Sequence, residues 1–318
     1  MKETEKKEAT AKTGTAGVNA RRNAALGAIL SAGGGICWGL SGSMGQYLFD
    51  YEGMDSRWLV PIRLGLAGVI LFFYCLLRYR KELFRPWKTR IDRRDLLIYG
   101  ILGISCCQFL YFLTIQLSTA GVGTILQDLS PVMILLVTCV AEKRRPGALE
   151  IISILLALVG VILITTHGNI GHLSVPVSAI VTGTLCAGCV TVYNVEPKRL
   201  LDEYPVTILQ AWAFLLGSAC LSALFHPWTW GYRPTAMGYF GIAFVVIVGN
   251  VIAFTSYMAG VRMIGPNKAI LYGFSEPITA AIVGIFVFRN VFTVFDGIGF
   301  GMVFLMMYLI SKKSERSA

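Results

Sequence analysis

The sequence carries little charge for its length. Aspartate, glutamate, lysine and arginine make up 14% of the 318 residues, while 55% of the residues are apolar. Soluble globular proteins carry about 25% charged residues, and the charges here are clustered, so that long runs contain few or none. Several of these runs reach the roughly 20 apolar residues that a helix needs to cross a bilayer. The composition excludes a soluble domain and indicates a chain that crosses a membrane several times.

The sequence also lacks the motifs of the common catalytic and metal sites. It has three histidines and no HExxH, GxSxG or Walker motif. The eight cysteines lie in apolar runs, and the CxxC pair, Cys186 and Cys189, has neither a second pair nor a nearby histidine. Cysteines in such a setting usually pack as small apolar residues. We therefore expect no enzyme, no metal site, no cofactor and no ATP-hydrolysing machinery of its own.

Basic residues are in excess, and the net charge is +10. In a soluble protein this excess would suggest a nucleic-acid partner, but membrane proteins collect lysine and arginine in their cytoplasmic loops. The sequence has no basic patch interleaved with aromatic residues. We expect the basic loops to face the anionic lipid of the bilayer, and we expect no nucleic acid among the partners.

Ten apolar segments have the length of a membrane-spanning helix. The first five lie at about 24–49, 58–80, 95–117, 120–141 and 148–166, and the second five at about 176–196, 205–226, 236–260, 268–288 and 294–311. Residues 1–23 contain no apolar run and are predicted to form a disordered cytoplasmic tail, and residues 312–318 form a second tail. The prediction is an all-α membrane protein with ten transmembrane helices.

The distribution of lysine and arginine predicts the orientation of the chain. If both termini are cytoplasmic and the ten spans alternate, 24 of the 28 basic residues fall in cytoplasmic segments. The other four are Arg57, Arg63, Arg233 and Arg289. A split this uneven follows the positive-inside rule. It predicts a multi-pass protein of the cell membrane with cytoplasmic N- and C-termini.

The two groups of five spans share an order of features. Aligned on their proline segments, they match at Ser130-Pro131 and Glu276-Pro277, at Tyr111 and Tyr257, and at the turns 118–120 and 264–266. The glycine-rich start GGGICWGLSGS likewise matches TGTLCAGCVTV. An odd number of helices per repeat gives the two halves opposite orientations in the membrane. Inverted repeats of this kind place the substrate site of secondary transporters near the midplane, between the halves.

The segment FLYFLTIQLSTAGVGTILQDLSPVMILLVTCVAEKRRP resembles the drug/metabolite transporter superfamily of the EamA type. The shared marks are an aromatic-rich helix, a small-residue turn, a helix ending near an SP pair, and a glutamate followed by basic residues, here Glu142 and residues 143–145. The second half keeps the SEP of Ser275, Glu276 and Pro277, but Phe288 and Arg289 stand at the acidic position. The resemblance covers residues 24–311 and implies two inverted five-helix repeats, at 24–167 and 176–311.

The resemblance implies a secondary transporter that moves a small metabolite, such as an amino acid or a nucleoside, by alternating access, as an exporter or exchanger. It does not imply which metabolite. A channel or a substrate-sensing receptor on the same fold is left open as an alternative, since a fold alone does not fix a function. Coupling to protons and facilitated exchange both fit. The small-residue spacing of the first helix permits a homodimer without requiring one.

Three ionisable residues lie well inside the predicted spans, namely Arg63, Asp128 and Glu276. Charged groups at this depth are expensive and are therefore candidates for function. Asp128 and Glu276 occupy repeat-related helices, and a proline follows each acid. Because a proline bend is tolerated where it lines a cavity, we expect both carboxylates to face one central cavity.

Two roles are open for these carboxylates. They can bind and release a proton as access alternates, or they can hold a cationic group of the substrate. Arg63 can neutralise one of them or bind a carboxylate of the substrate. The structural alternatives for Arg63 are a fixed ion pair with Asp128 and extension of the side chain to the outer interface.

Seven further polar or aromatic residues near mid-helix are candidate lining residues of the cavity. They are Trp38, Gln108, Tyr111, Gln127, Asn250, Tyr257 and Tyr272. An aromatic and amide lining suits a planar or amphipathic metabolite, through ring stacking and a few oriented hydrogen bonds. The structural alternative is ordinary interhelical bonding, because such residues also hold helices together in lipid.

Overall fold

The computed structural model describes residues 2–169, 174–195 and 198–317. In this part of the chain the backbone forms ten long helices and no strand. Eight have the length and hydropathy of membrane spans: α1 (Arg22–Asp50), α2 (Ser56–Trp87), α3 (Arg90–Leu117), α4 (Ala120–Ala141), α5 (Ala148–Thr166), α6 (Val177–Asn194), α7 (Val206–Phe225) and α8 (Ala236–Ile264). Two are shorter, α9 with its apolar part at Leu271–Phe286 and α10 with Val294–Ile310. The predicted ten-helix all-α fold is confirmed.

The largest difference from the sequence prediction is at the N-terminus. The backbone is helical from Lys2 to Asp50, so the predicted disorder of residues 1–23 is not what the structure has in this segment. The physical reason is composition, because lysine, glutamate and alanine are strong helix formers. The part that can cross a membrane begins at Arg22, as expected.

Helices α3 and α4 form one hairpin and α8 and α9 another, and the connections inside both hairpins are very short. Helix α3 ends at Leu117 and α4 begins at Ala120, where Thr119 caps the helix by accepting a hydrogen bond from the backbone N–H of Val122. In the second half, α8 ends at Ile264 and α9 begins at Pro266. Gly265 lies between them with a φ of +81°, a conformation that glycine adopts at little cost. Each hairpin is therefore two helices, as the sequence predicts.

The helix contacts follow an approximate twofold exchange of the two halves. Helix α1 packs on α8 and α9, and α6, its repeat mate, packs on α3 and α4. The pairs α2 with α7, α4 with α9 and α5 with α10 each join a helix to its own repeat mate. The core of the protein is thus a seam between the halves, and a cavity at this seam has walls from both.

Helices α4 and α9 are both interrupted at mid-length. Helix α4 consists of Ala120–Gln127 and Ser130–Ala141, and α9 of Pro266–Gly273 and Ser275–Phe286. Proline has no N–H, so Pro131 and Pro277 cannot complete the helical hydrogen bond to the carbonyl four residues earlier. The breaks, at residues 128–129 and at Phe274, fall within one turn before these prolines, at equivalent places in the two repeats.

A second pair of irregularities lies in α3 and α8. Residues Ile98–Ser105 of α3 and Val245–Ile252 of α8 form π-helical segments. π-helical segments are rare in proteins, but those that occur are often found at functional sites. They widen the helix and rotate the side chains of the residues that follow them. Their positions in the two repeats correspond, which adds to the twofold pattern.

Helix α1 approaches α9 closely through its glycines. A Cβ atom built on Gly39 would lie 2.5 Å from the backbone oxygen of Glu276 and 2.8 Å from the Cβ of Thr279. The small-residue face of α1 is therefore used for packing inside the chain. The homodimer stays a prediction, and these glycines do not add to it.

Candidate functional site

A cavity of about 670 Å³ lies at the seam between the halves. Its walls come from both repeats, including α1, α2, α3 and α4 on one side and α6, α7, α8 and α9 on the other. Nine of the ten predicted site residues line it: Trp38, Arg63, Gln108, Tyr111, Gln127, Asp128, Asn250, Tyr257 and Glu276. The tenth, Tyr272, is not among the lining residues described and is 44% exposed on α9.

The two helix breaks bring the acidic side chains to the cavity. Asp128 stands at the end of the first segment of α4, where its backbone N–H still donates to the carbonyl of Thr124 over 2.9 Å. Its carboxylate oxygen Oδ2 is buried and has no hydrogen-bond partner in the described part of the chain. Asp128 therefore offers an acceptor to whatever enters the cavity.

The second acid, Glu276, is linked to the opposite half. It lies in the first turn of the second segment of α9, and the hydroxyl of Tyr111 on α3 donates to its Oε1 over 3.4 Å. This is a long hydrogen bond, and it leaves the rest of the carboxylate facing the cavity. The hydrogen bond to Glu276 is thus one of the contacts between the two repeats.

Arg63 is buried in the cavity wall, with 3% of its surface exposed. Its Nη2 donates to Gln108 Oε1 over 2.9 Å and to Asn250 Oδ1 over 2.5 Å. The guanidinium lies over the ring of Phe112, with 3.8 Å from its carbon to the ring centroid. These contacts fix Arg63 between α3 and α8.

Neither structural alternative for Arg63 is what the structure has. No carboxylate oxygen of the described residues lies within 4.0 Å of its nitrogen atoms, so it forms no ion pair with Asp128. Its burial also excludes extension to the outer interface. The reason is its partners, because two amide oxygens hold the guanidinium at mid-depth.

Aromatic rings form part of the cavity wall. Trp38 and Tyr257 contact each other with ring centroids 5.1 Å apart, which joins α1 to α8 beside the two acids. Gln127 has a different role, because its Oε1 accepts weak hydrogen bonds from the thiols of Cys107 and Cys186, at 3.8 and 3.4 Å. The contacts of Gln127 are therefore those of a residue that joins helices by hydrogen bonds, which was the structural alternative to a role in binding.

Several lining residues were missed by the sequence analysis. Tyr99, Tyr193, Asn194 and Gln210 line the cavity, and the hydroxyl of Tyr99 donates to Gln210 Oε1 over 3.1 Å. The available signal was the single amide of Gln210 inside an otherwise apolar span. The rings of Phe112, Phe214, Phe254 and Phe274 also line the cavity, and nothing in the sequence separates them from ordinary packing residues.

The cavity extends toward one end of the helix bundle. Asn194, Val206 and Val261 line it, and they lie within about one turn of the ends of α6, α7 and α8. Basic residues lie at these ends, with Arg262 in the last turn of α8 and Arg199 in the segment between α6 and α7. The cavity thus reaches toward the membrane face with the basic loops.

Hydrogen bonds join the helices at the opposite end. The amide oxygen of Gln46 accepts from the backbone N–H of Ala120 over 2.9 Å, and that of Gln116 from the N–H of Ser56 over 2.9 Å. Gln116 also donates to Asp55 Oδ2 over 3.4 Å. Burial raises the pKa of Asp55, but hydrogen bonds from Arg57 and Gln116 outweigh burial, so that the pKa lies below its ordinary value.

A second, smaller cavity of about 360 Å³ also lies at that end. It is lined by the first turn of α4 and the ends of α5, α9 and α10. At its edge the His167 Nδ1 and Asp296 Oδ1 atoms are 2.7 Å apart. None of the ten predicted site residues lines it, and no group of three potential metal ligands occurs in the described residues.

Comparison with known proteins decides the family. The sequence model of the EamA-like transporter family matches residues 25–166 and 177–312. The chain belongs to this family. The predicted resemblance is therefore confirmed, and the protein is a membrane transporter of the EamA type.

Relatives of this EamA-like transporter bear names of the same kind. An uncharacterized inner membrane transporter of Salmonella typhimurium, YicL, is 30% identical over 283 residues, which is 89% of this chain and 94% of the relative. An uncharacterized transporter of Bacillus subtilis, YyaM, is 22% identical and covers 87% and 90% of the two chains. The threonine/homoserine exporter RhtA of Salmonella typhimurium is 25% identical over 61% of this chain and 62% of its own.

A solved crystal structure has the same fold. It superposes with a TM-score of 0.63 at 15% sequence identity, and the match covers 91% of this chain and 98% of the other. At this identity the likeness concerns the fold alone. It agrees with the ten-helix arrangement of the EamA family.

Proposed function

We propose that this EamA-like protein is a secondary transporter that moves a small metabolite across the cell membrane by alternating access, as an exporter or exchanger. The observation that carries the proposal is the central cavity, which has walls from both repeats and whose lining, in the described part of the chain, reaches toward the end with the basic residues. Its volume of about 670 Å³ lies within the ordinary range of small-molecule sites.

Alternating access needs a site that can be exposed to either face in turn. The helix breaks at Asp128 and before Ser275 lie in repeat-related helices, and discontinuous helices of this kind line the substrate sites of inverted-repeat transporters. The π-helical segments of α3 and α8 add a second pair of irregular places at the same seam. A movement of one repeat against the other would change which end of the bundle the cavity reaches.

The orientation forms part of the proposal. The basic loops adjoin the end toward which the cavity extends, so the positive-inside rule places this end in the cytoplasm. Both termini are then cytoplasmic, and the cavity takes up its metabolite from inside the cell. This direction of loading suits an exporter.

A carrier, a channel and a receptor differ in the solute movement that they permit. A channel permits only net flux from the higher to the lower concentration, and a receptor binds its ligand without transporting it. A carrier can exchange one molecule for another across the membrane. The RhtA relative is named for threonine and homoserine export, so amino acids are the first metabolites to test. Protons are the coupling ion that the half-buried acids Asp128 and Glu276 of the cavity wall favour.

Counterflow in proteoliposomes tests the proposal. Vesicles loaded with an unlabelled metabolite are diluted into its labelled form, and a carrier accumulates the label transiently above its outside concentration. We expect this overshoot, and we expect it to fall in Trp38→Ala, which changes the cavity wall. The matched control is Trp228→Ala, since Trp228 is 68% exposed and outside the cavity. Passive equilibration without overshoot would favour a channel, and binding without flux would favour a receptor.

A further inference from the structure

Arg63 has more hydrogen-bond donors than the protein pairs. Its Nη2 donates to Gln108 and Asn250, while its Nε and Nη1 are buried and have no partner in the described part of the chain. The Nδ2 of Asn250 is likewise buried and without a partner there. Because the Arg63 and Asn250 side chains are in contact and both line the central cavity, three unpaired donor atoms lie together in its wall.

The charge of Arg63 is also without a counter-ion. The described residues place no carboxylate within ion-pair distance of it, and its neighbours are two amide oxygens and the ring of Phe112. A buried charge is tolerated when hydrogen bonds and an opposite charge compensate for the loss of water. The amides and the ring compensate part of this loss. The N–H groups that remain unpaired, on Nε and Nη1 of Arg63, could donate hydrogen bonds to an anion.

We propose that Arg63 and Asn250 form a carboxylate-binding subsite, so that the transported metabolite carries a carboxylate group. This inference rests on the transport function proposed above. A guanidinium and an amide N–H together match the lone pairs of a carboxylate, and such charge-assisted hydrogen bonds are the strong ones in proteins. Gln108 acts as a positioning residue, because it accepts from Nη2 and holds the guanidinium in place.

The acids of the same cavity select the class of anion. Asp128 and Glu276 both line it, and either of them, when ionised, repels a ligand with two negative charges more than a ligand with one. A phosphate group is therefore disfavoured relative to a single carboxylate. The unpaired Oδ2 of Asp128 can accept a hydrogen bond from an amine or hydroxyl on the same metabolite. Neutral nucleosides and polyamines, which have no carboxylate, lack a partner for Arg63.

A test with added ligands uses matched compounds on the purified full-length protein. For each amino acid the series contains the acid, its carboxamide and the corresponding amine without the carboxylate, with inorganic phosphate as a further probe, and binding is read from the melting temperature. We expect the acid to bind, and we expect Arg63→Gln to weaken it about 10- to 100-fold. The control Arg57→Gln changes an arginine at the exposed start of the same helix and should leave affinity unchanged.

The outcomes separate this inference from the proposed function. Equal binding of acid and carboxamide, stronger binding of phosphate, or an unchanged affinity in Arg63→Gln would overturn the carboxylate subsite. If a metabolite without a carboxylate is carried in counterflow, the transport function stands and the subsite fails. If a carboxylate binds through Arg63 but is never carried, the subsite stands and the transport function fails.

A second variant tests the subsite through the stability of the protein as well as through ligand binding. Asn250→Asp keeps the shape of the side chain and places a carboxylate beside Arg63, where the anion of the metabolite is proposed to lie. We expect its melting temperature to rise above that of the wild type and its affinity for carboxylates to be lost. The matched control, Asn194→Asp, changes an asparagine of the same cavity whose Nδ2 donates to the Val190 carbonyl, and it should not raise the melting temperature. A fall in the melting temperature of Asn250→Asp would overturn the proposal.

Discussion

In the first repeat α4 breaks at Asp128, whose Oδ2 has no partner in the described chain, whereas in the second repeat α9 breaks one residue before Ser275, and Glu276 receives a hydrogen bond from the other half. The positions of the breaks correspond, but the acids differ in their connections. Arg63 also has no counterpart in the other repeat, since no basic residue lies in α7, the repeat mate of α2. The halves share the positions of their helix breaks and differ in the polar groups that line the cavity.

The largest expected effect compares the two acids directly. Because Glu276 is connected to the opposite repeat through Tyr111, we expect Glu276→Gln to reduce transport driven by a pH gradient to background while exchange continues. Asp128→Asn should instead weaken substrate binding, so both activities fall together. The measurement is uptake with and without a pH gradient in proteoliposomes, with Asp50→Asn at the exposed end of α1 as control. Equal loss of both activities in Glu276→Gln would remove its coupling role.

The next effect concerns glycines at equivalent positions of α1 and α6. An added Cβ at Gly39 meets the backbone of α9, while at Gly188, its repeat mate, the nearest atom is Met133 Sδ at 4.0 Å. We expect Gly39→Ala to cost about 1–3 kcal/mol through overpacking. Gly188→Ala should be neutral or slightly stabilising, because alanine favours a helix. Melting temperatures in detergent check this. Equal shifts would show that α1 and α6 pack equally closely against their neighbours at these two glycines.

A smaller effect is expected at the tyrosines that correspond in α3 and α8. Tyr111→Phe removes the hydrogen bond to Glu276, and we expect the rate of transport driven by a pH gradient to change about three- to tenfold. Tyr257→Phe keeps the ring contact with Trp38 and removes no hydrogen bond seen in the described residues, so its rate should stay near that of the wild type. If both variants behave alike, the bond to Glu276 has no part in transport.

The smallest effect lies at the starts of α2 and α7. Asp55 caps α2, and its pKa is lowered overall, while Pro205 at the start of α7 cannot titrate. A carboxyl group with a lower pKa in the folded protein stabilises it above about pH 4 and loses this contribution as the pH falls. Since Asp55 is only half-buried, we expect less than about 1 kcal/mol. Asp55→Asn should make the melting temperature fall less between pH 5 and 3, and an unchanged slope would contradict this.

Much of the fold follows from the sequence, because the membrane imposes it. A span of about 20 apolar residues has few alternatives to a helix, so the ten helices and the turns at Ser118 and Gly265 were predictable. The breaks were predictable as proline bends at Pro131 and Pro277. The π-helical segments of α3 and α8 were not, since their sequences contain no proline and their irregularity depends on neighbouring helices.

The candidate site was predictable in its members but not in its contacts. Polar residues inside apolar spans are rare enough to be recognised, and nine of the ten lie around one cavity. The partners of Arg63 come from α3 and α8, and a sequence pattern does not show which helices become neighbours. Tyr272 was expected to line the cavity, but α9 is interrupted at Phe274, between Tyr272 and Glu276, and the Tyr272 side chain is 44% exposed.

At the end of the bundle opposite the basic loops, the backbone N–H groups of Ala120 and Ser56 donate to the neutral amide oxygens of Gln46 and Gln116, and these bonds join helices of the first repeat. Water can replace each of these bonds at little cost in free energy. Wetting of these two contacts can therefore proceed one bond at a time, without separating the His167–Asp296 contact between α5 and α10. In the proposed alternating-access cycle, the part of the barrier that these two bonds contribute would be set by hydration, and it should respond to osmolytes more than to salt.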